Sequence, residues 1–148
     1  MIRDAVNEDI EILLPLGEKM HKTSPFYGDM PFDKDKVREY AQRHIDGVNN
    51  YFRVYERDGT PVAFFLGHVV HYFFNWEVSG RQGGLFTDGK TPMLGIRMSK
   101  DFEAWCKERG AFEVNYGVTH SHTPRYDTFM SRLGYKNIGA VYSKRLRS

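Results

Sequence analysis

Apolar side chains recur at helical spacing in the segment that follows residue 93. Five of them fall on one face of a helix, at successive spacings of four, four, three and one: Leu94, Met98, Phe102, Trp105 and Cys106. Charged residues occupy many of the remaining positions, which is typical of an amphipathic helix that packs against a sheet or another helix. The pattern therefore predicts a helix with one buried face.

The residues that flank this helix indicate where it begins and ends. Thr91 is the expected N-cap and Pro92 the expected first helical residue, because a helix start leaves that N–H unpaired in any case. Gly110 is expected to end the helix in a left-handed conformation. Since the helix directly follows a strand, its unpaired N–H groups and positive dipole end meet at one place, where an anion could bind.

Two further helices are predicted near the N-terminus, after a short strand over residues 2–6. The first begins at Asn7, and Pro15 is expected to kink or split it. The second is capped by Asp33, runs to about residue 45 and ends at Gly47.

Alternating or continuous apolar residues predict the remaining strands. Asp58 and Gly59 form a strong hairpin turn signal between the first two of them. A last helix is expected over residues 122–133, with Gly134 as its cap. The predicted strands cover residues 51–56, 60–74, 76–87, 112–118 and 135–146.

Three glycines interrupt the strand over residues 76–87, namely Gly80, Gly83 and Gly84. Glycine inside a strand often marks a bulge or the close approach of another backbone or a ligand. The order of elements predicts an α/β (α+β) fold, with a mixed, mostly antiparallel central sheet of about six strands flanked by about four helices. The length of 148 residues suits a single domain over residues 1–148.

Charge and composition argue against several classes of protein. The formal net charge is only +2, and Lys144, Arg145 and Arg147 form the one dense basic cluster, which we interpret as a solvated tail. We therefore expect no nucleic-acid partner. The apolar run over residues 62–74 is too short to span a bilayer, and no signal peptide is evident, so we expect a cytoplasmic protein without a membrane partner.

The single cysteine, Cys106, cannot form an internal disulfide, which fits a reducing compartment. Its place on the apolar face of the helix predicts a buried, unreactive thiol. His120 and His122 lie two residues apart, and no cysteine accompanies them in a metal-binding pattern, so no metal site is expected.

Four stretches resemble the GCN5-related N-acetyltransferases, the GNAT superfamily, over essentially the whole chain. They are residues 2–9, with a strand and an acidic helix start, the hairpin at residues 58–59, residues 102–111, and residues 129–135. The last two are similar to the family's segments EWAKERGA and FYEKLGF. The resemblance implies an acetyl-CoA-dependent N-acetyltransferase that moves an acetyl group directly to a primary amine of a small molecule or peptide in a ternary complex.

In this family, backbone N–H groups of the loop before the central helix hold the pyrophosphate of acetyl-CoA. The resemblance implies this role for Lys90, Thr91, Met93, Leu94 and Gly95. Lys90 keeps a cation and Gly95 keeps a small residue. Met93 takes the place of a glycine whose missing side chain lets phosphate approach the backbone.

The same resemblance assigns the rest of the cofactor site. Leu85, Phe86 and Thr87 match the strand edge that pairs with pantetheine, where a backbone N–H binds the acetyl oxygen. Met130 stands where many members have a tyrosine that protonates the leaving thiolate. Tyr126, one helical turn earlier, could take this catalytic role or could simply pack.

An alkyl ammonium has a pKa of about 10, so transfer to an amine requires a general base. Glu77 would share one strand face with Ser79 and Arg81 and is the candidate catalytic base; the alternative is a solvated glutamate at a strand end. His120 or His122 is a second choice. The substrate is expected near three residues of the first inter-helix loop: Phe26, Tyr27 and Asp29.

Met93 and Met130 leave an alternative function open, a catalytically degenerate GNAT-fold protein that serves in binding or structure. The feature that distinguishes the two is whether the loop over residues 90–95 still presents N–H groups to a phosphate. A homodimer through exposed aromatic residues or the C-terminal strand is a further expectation.

Overall fold

One mixed sheet organises the computed structural model of the protein, which describes residues 1–117 and 124–147. Its strand order is β1-β2-β3-β4-β5; the first four strands pair antiparallel, and β5 pairs parallel with β4. The strands are β1 (Ile2–Asp4), β2 (Asn50–Arg57), β3 (Thr60–His71), β4 (Val78–Thr87) and β5 (Ala111–Asn115).

The chain forms two compact units. Unit 1, Met1–Gly117, contains all five strands and three helices, and unit 2, Val118–Ser148, contains the fourth helix. The helices are α1 (Asp9–Lys22), α2 (Lys34–Asp46), α3 (Leu94–Glu108) and α4 (Pro124–Arg132). In the described residues, no helix is long and apolar enough to cross a membrane. The expected mostly antiparallel α+β architecture is confirmed.

Helix α3 covers one face of the sheet with the five residues that the sequence pattern predicts, and all five are buried. Phe102 and Trp105 pack around Tyr51 of β2, with ring centroids 4.9 Å and 5.3 Å from the Tyr51 ring. Burial raises the pKa of the Cys106 thiol to about 12, which agrees with an unreactive core residue.

Helices α1 and α2 contribute to a second core on the other side of the strands. Val54 and Phe64 alternate with Tyr51 and Phe65 along their strands, so their side chains point away from α3. The buried residues of this second core are Ala5, Ile10, Leu13, Ala41, Phe52, Val54 and Phe64.

Two strand glycines allow α3 to lie directly on the sheet. A Cβ at Gly80 would lie 2.5 Å from the Cys106 Sγ, and a Cβ at Gly67 would lie 2.6 Å from a ring carbon of Phe102. Both distances are too short for any side chain. The hydroxyl of Tyr51 donates a 2.5 Å hydrogen bond to Asp101 of α3, which ties the helix to β2 as well.

Several boundaries match their sequence signals. Asp33 caps α2 and accepts hydrogen bonds from the N–H groups of Asp35 and Lys36, at 3.0 and 3.1 Å. Asp58 and Gly59 form the hairpin turn with φ of 53° and 78°. Gly134 follows α4 with φ of 90°, as expected of a cap.

Other sequence expectations were wrong. Pro15 does not split α1, which is one helix, and the expected kink at Pro15 stays a prediction. The helix begins at Asp9, after Glu8 and not after an Asn7 cap. β3 ends at His71 and not at residue 74. The sixth strand is absent, because residues 135–147 form no strand, and the Asn137 side chain accepts a 3.0 Å hydrogen bond from the N–H of Gly139, a local bond that competes with extended pairing.

We expect Gly80→Ala to lower the free energy of unfolding by about 1–3 kcal/mol, because the new methyl group must displace the Cys106 thiol or move α3. Urea denaturation monitored by tryptophan fluorescence measures this change. Gly117→Ala is the matched control, since a Cβ there meets none of the described residues within 4 Å. Equal stabilities of the two variants would contradict the close approach of α3 to β4.

Candidate functional site

Strand β5 pairs only with the first residues of β4. The parallel register ends with Arg81 opposite Asn115, where β5 also ends. β4 continues for six more residues, 82–87, which pair with β3 on one side and with no strand on the other among the described residues. This leaves an open strand edge of unpaired backbone donors and acceptors beside the start of α3.

A β-bulge lies at the beginning of the open edge. Leu66 pairs with Gly84 and Gly67 pairs with Gln82, so Gly83 is the extra residue of β4. A Cβ at Gly83 would lie 3.5 Å from the Tyr40 hydroxyl oxygen of α2, and one at Gly84 would lie 3.9 Å from the terminal carbon of Met20 in α1. Residues of α1 and α2 therefore cover the bulge.

The helix that follows the open edge begins in an unusual conformation. Its N-cap is Met93, which has φ of 61° and ψ of 12°, in the left-handed region that glycine adopts most readily. The Met93 side chain is 64% exposed. The expected N-cap at Thr91 and helical start at Pro92 were wrong, because both residues precede this left-handed turn and α3 begins at Leu94.

The first turn of α3 carries the properties of an anion site. The N–H groups of Gly95 and Ile96 donate to no backbone group among the described residues. The first helical hydrogen bond of normal length comes from the Arg97 N–H, which donates to the Met93 carbonyl oxygen at 3.0 Å. The first turn of α3 has no acidic residue, whereas those of α1 and α2 do. A Cβ at Gly95 would touch only a Leu85 methyl group, at 4.0 Å, so the space beside these donors is open.

An ion pair determines the shape of the β4–α3 loop, residues 88–93. The guanidinium of Arg57, at the end of β2, donates to Asp88 at 2.7 Å and to the Thr91 hydroxyl. Asp88 also accepts a hydrogen bond from the Lys90 N–H at 3.0 Å. Arg57 is the main reason that the pKa of Asp88 is lowered to about 2, and the Lys90 N–H contributes further. The loop's carboxylate is thus neutralised by Arg57 instead of repelling an anion.

Polar side chains of three neighbouring segments form a cluster where β4 and β5 still pair. Ser79 is fully buried, and its hydroxyl oxygen accepts from Asn115 at 3.1 Å and from the Arg81 Nε at 3.2 Å. The Glu113 Oε1 accepts from the Tyr72 hydroxyl and, at 3.4 Å, from Asn115. Burial and the bond to Glu113 raise the pKa of Tyr72, so the phenol stays a donor. We call these five residues the strand-junction cluster.

The sequence pattern pointed to one end of this cluster but missed its carboxylate. Ser79 and Arg81 lie on β4 as expected, whereas Glu77 precedes β4 and is exposed, with its N–H bonded to the Asn75 side chain at 2.9 Å. The expectation that Glu77 shares their strand face was wrong, since the strand begins at Val78. Glu113 of β5 alternates with Val114 and Tyr116, which pack against the core beneath α3, but this alternation does not reveal its bonds to Tyr72 and Asn115.

The predicted substrate residues lie in the α1–α2 loop. Phe26 and Tyr27 are 53% and 45% exposed, and Asp29 is also exposed. The loop follows α1, whose residue Met20 covers Gly84. Their role in binding stays a prediction.

Tyr126 and Met130 lie on α4 in unit 2, and their predicted roles stay predictions. His120 and His122 lie outside the described residues. Among the residues that the structure does describe, no group of three His, Cys, Asp or Glu side chains could hold a metal ion.

We expect Arg57→Gln to raise the pKa of Asp88 from about 2 toward its ordinary value of 3.8, because the charged partner is removed. In the wild type, the bond contributes fully to stability above the ordinary pKa and is lost as the pH falls through about 2. A carboxyl-carbon NMR titration of Asp88 measures the shift. Arg38→Gln, which removes an exposed arginine paired with Glu11 and Asp35, should leave the Asp88 titration unchanged.

Comparisons with known proteins show a likeness in fold and none in sequence. Comparison with protein-family sequence models gives no match, and comparison with curated protein sequences gives none either. Solved structures do match over almost the whole chain. A mutant protein from Bacillus halodurans superposes with a TM-score of 0.80 at 16% identity, covering 99% of this chain and 99% of that one.

Two further solved structures carry the names of enzymes. Glucosamine-6-phosphate N-acetyltransferase from Arabidopsis thaliana has a TM-score of 0.70 at 18% identity, with 99% of this chain and 98% of that one covered. A predicted acetyltransferase from Clostridium acetobutylicum, solved with acetyl-CoA, has a TM-score of 0.75 at 13% identity, with coverage of 99% and 96%. From its sheet, its bulged and partly unpaired β4 and these likenesses, the chain has the fold of the GCN5-related N-acetyltransferases.

Proposed function

We propose that this protein is an N-acetyltransferase that moves the acetyl group of acetyl-CoA to a primary amine. The observation that carries the proposal is the open edge of β4, residues 82–87, which leads directly to the acid-free N-terminus of α3. A strand edge without a partner offers hydrogen bonds to an amide-containing chain, and a helix N-terminus offers them to phosphate. Pantetheine and pyrophosphate of acetyl-CoA have these two chemistries in this order.

The residues present fit the pyrophosphate. The N–H groups of Gly95 and Ile96 have no backbone acceptor, the space over Gly95 is open, and Lys90 supplies an exposed cation. Met93 holds the left-handed turn that this N-terminus needs even though it is not a glycine, and its side chain points into solvent. Leu85, Phe86 and Thr87 then provide the edge for pantetheine, with Thr91, Met93 and Leu94 beside the phosphates.

The acetyl carbonyl would lie near the bulge at Gly83, where the backbone is exposed and the Tyr40 hydroxyl is the nearest side-chain group. A backbone N–H aimed at the carbonyl oxygen stabilises the negative charge that develops there when an amine attacks. The enzyme named for glucosamine-6-phosphate and the relative solved with acetyl-CoA share this fold, which supports the assignment.

We assign the general base to Glu113 in place of Glu77. Glu113 lies two residues before the end of β5, and its Oε1 is oriented by Tyr72 and Asn115, while Oε2 accepts no hydrogen bond from the described residues. Directly or through a water molecule, Oε2 takes a proton from the substrate's ammonium group, and the resulting amine is the nucleophile. The amine nitrogen bonds to the acetyl carbon, the carbon–sulfur bond breaks, coenzyme A leaves as a thiolate, and the second nitrogen proton passes to that thiolate or to water.

A thiol has a pKa of about 8.5, so its thiolate is a tolerable leaving group without an acid. Tyr126 remains our candidate for protonating it, in place of the tyrosine that Met130 replaces. Met93 and Met130 also favour a second function, a binding or structural protein that has kept the fold and lost catalysis. Cofactor binding separates the two.

We expect the purified protein to bind acetyl-CoA with a dissociation constant in the micromolar range, and Lys90→Glu to weaken binding about tenfold, or about 1.4 kcal/mol, through repulsion of the phosphates. Isothermal titration calorimetry measures both. Lys107→Glu makes the same charge change at the other end of α3 and should bind as the wild type does. Gly95→Trp should abolish binding by filling the space beside the donors. Absence of binding to the wild type would overturn the proposed enzyme.

We expect Glu113→Gln to lower kcat/KM about 10²–10⁴-fold for a primary amine, because the amide cannot accept the proton. Release of coenzyme A, followed with a thiol reagent, measures the rate. The affinity for acetyl-CoA should not change. A loss that falls on Glu77→Gln and spares Glu113→Gln would assign the base to Glu77 instead.

A further inference from the structure

Arginines on the strands of this sheet are paired with carboxylates, with one exception. Arg3 pairs with Asp9 at 2.7 Å and with Glu56 at 2.8 Å. Arg53 donates to Asp101 of α3 and Arg57 donates to Asp88 of the β4–α3 loop, each at 2.7 Å. These pairs join neighbouring elements, which is the usual structural use of a partly buried arginine.

Arg81 of β4 has no carboxylate partner within the described residues. Its Nε donates to the buried Ser79 hydroxyl at 3.2 Å, which fixes the direction of the guanidinium. The two terminal nitrogens donate to none of the described residues, and the side chain is exposed. An arginine held by its Nε presents those nitrogens as a fork that matches a carboxylate or a phosphate.

Glu113 is the complementary exception on the neighbouring strand. It accepts hydrogen bonds from the neutral groups of Tyr72 and Asn115 and forms no ion pair with a described cation. Ser79 is the register partner of Glu113, and Asn115 is the partner of Arg81, so the two charges are diagonal neighbours. Diagonal neighbours of opposite charge can pair across strands, yet these two do not, because Ser79 and Asn115 bind each other between them.

The two unpaired charges lie on the same face of the sheet as His68, the register partner of Arg81 on β3. Burial, the nearby His44 and Arg81 lower the pKa of His68, which favours the neutral ring, and the single N–H of a neutral imidazole can donate to an anion. As diagonal neighbours on adjacent strands, Glu113 and Arg81 have Cβ atoms about 7–8 Å apart.

We propose that the acceptor amine is zwitterionic: its ammonium group faces Glu113, and a carboxylate or phosphate a few bonds away binds the guanidinium of Arg81. The proposal rests on the acetyltransferase function argued above and adds the substrate class. An amine without an anionic group would leave the oriented guanidinium with no partner among the described residues, whereas a carboxylate or phosphate on the substrate satisfies it by a charge-assisted pair. Arg81 is thus a specificity-determining residue, and His68 is a neighbouring donor.

Acceptors matched in length test the proposal. The probes are 4-aminobutanoate against butylamine, and O-phosphoethanolamine against ethanolamine, each with acetyl-CoA and the wild-type protein. We expect kcat/KM to be at least about tenfold higher for one or both of the probes that carry an anionic group, 4-aminobutanoate and O-phosphoethanolamine, than for the matched probe without one. The two pairs also distinguish a carboxylate from a phosphate acceptor.

Variants assign the preference to Arg81. We expect Arg81→Leu to reduce the ratio within each pair toward one by raising KM for the anionic probe alone, and Arg81→Lys to restore part of it. Lys107→Leu removes an exposed positive charge from the end of α3 and should leave the ratio unchanged. The proposal would be overturned by equal rates for probes with and without an anionic group, or by a preference that survives in Arg81→Leu. In either case the acetyltransferase function stands.

Probe binding without acetyl-CoA keeps the two proposals distinguishable. Backbone amide NMR shifts, recorded during titration with each probe, measure binding independently of transfer. Anion-selective binding that depends on Arg81, together with no acetyl transfer and no acetyl-CoA binding, would retain the ligand class and overturn the reaction. Binding of all four probes with equal affinity, or of none, would overturn the ligand class.

Discussion

The close approach of α3 to β3 and β4 is the constraint on which the rest of the site depends. Gly67 and Gly80 leave no room for a side chain, so Phe102 and Cys106 lie directly over the strand backbones. The hydrogen bond from Tyr51 to Asp101 ties the middle of the helix to β2 at the same depth. Because the helix is packed at van der Waals contact along its length, its first turn has a fixed position at the end of β4.

Charged side chains around the site are paired at the start and middle of α3 and are not paired with each other at the strand junction. Arg57 at the end of β2 neutralises Asp88 in the β4–α3 loop, which would otherwise repel a phosphate from the start of α3. Arg53 and Tyr51 both donate hydrogen bonds to Asp101 of α3. In the strand-junction cluster, by contrast, Arg81 and Glu113 bond to neutral side chains. Ser79 accepts from Arg81, Asn115 donates to Glu113, and neither charged group forms an ion pair with a described residue.

Features set by local chemistry could be predicted from the sequence. These include the buried face of α3, the Asp33 cap, the turn at Asp58 and Gly59, and the glycine positions in β4. Features set by the partner of a segment could not. Pairing with β5 decides where β4 becomes open, and nothing in the alternation of residues 135–146 reveals that they form no strand. Glu113 was missed for the same reason. One of its hydrogen-bond partners, Tyr72, comes from a segment 41 residues away, although the other, Asn115, belongs to β5 itself.

The left-handed N-cap at Met93 separates a backbone shape from the amino acid that usually adopts it. A non-glycine residue in this region is uncommon and strained by about 1 kcal/mol or more, so the surrounding contacts must hold it there. The dihedral angles, and not the absence of a side chain, aim the N–H groups of the first turn. A sequence pattern that demands glycine at this position would therefore pass over chains whose loop has the same shape, and recognition by φ and ψ would find them.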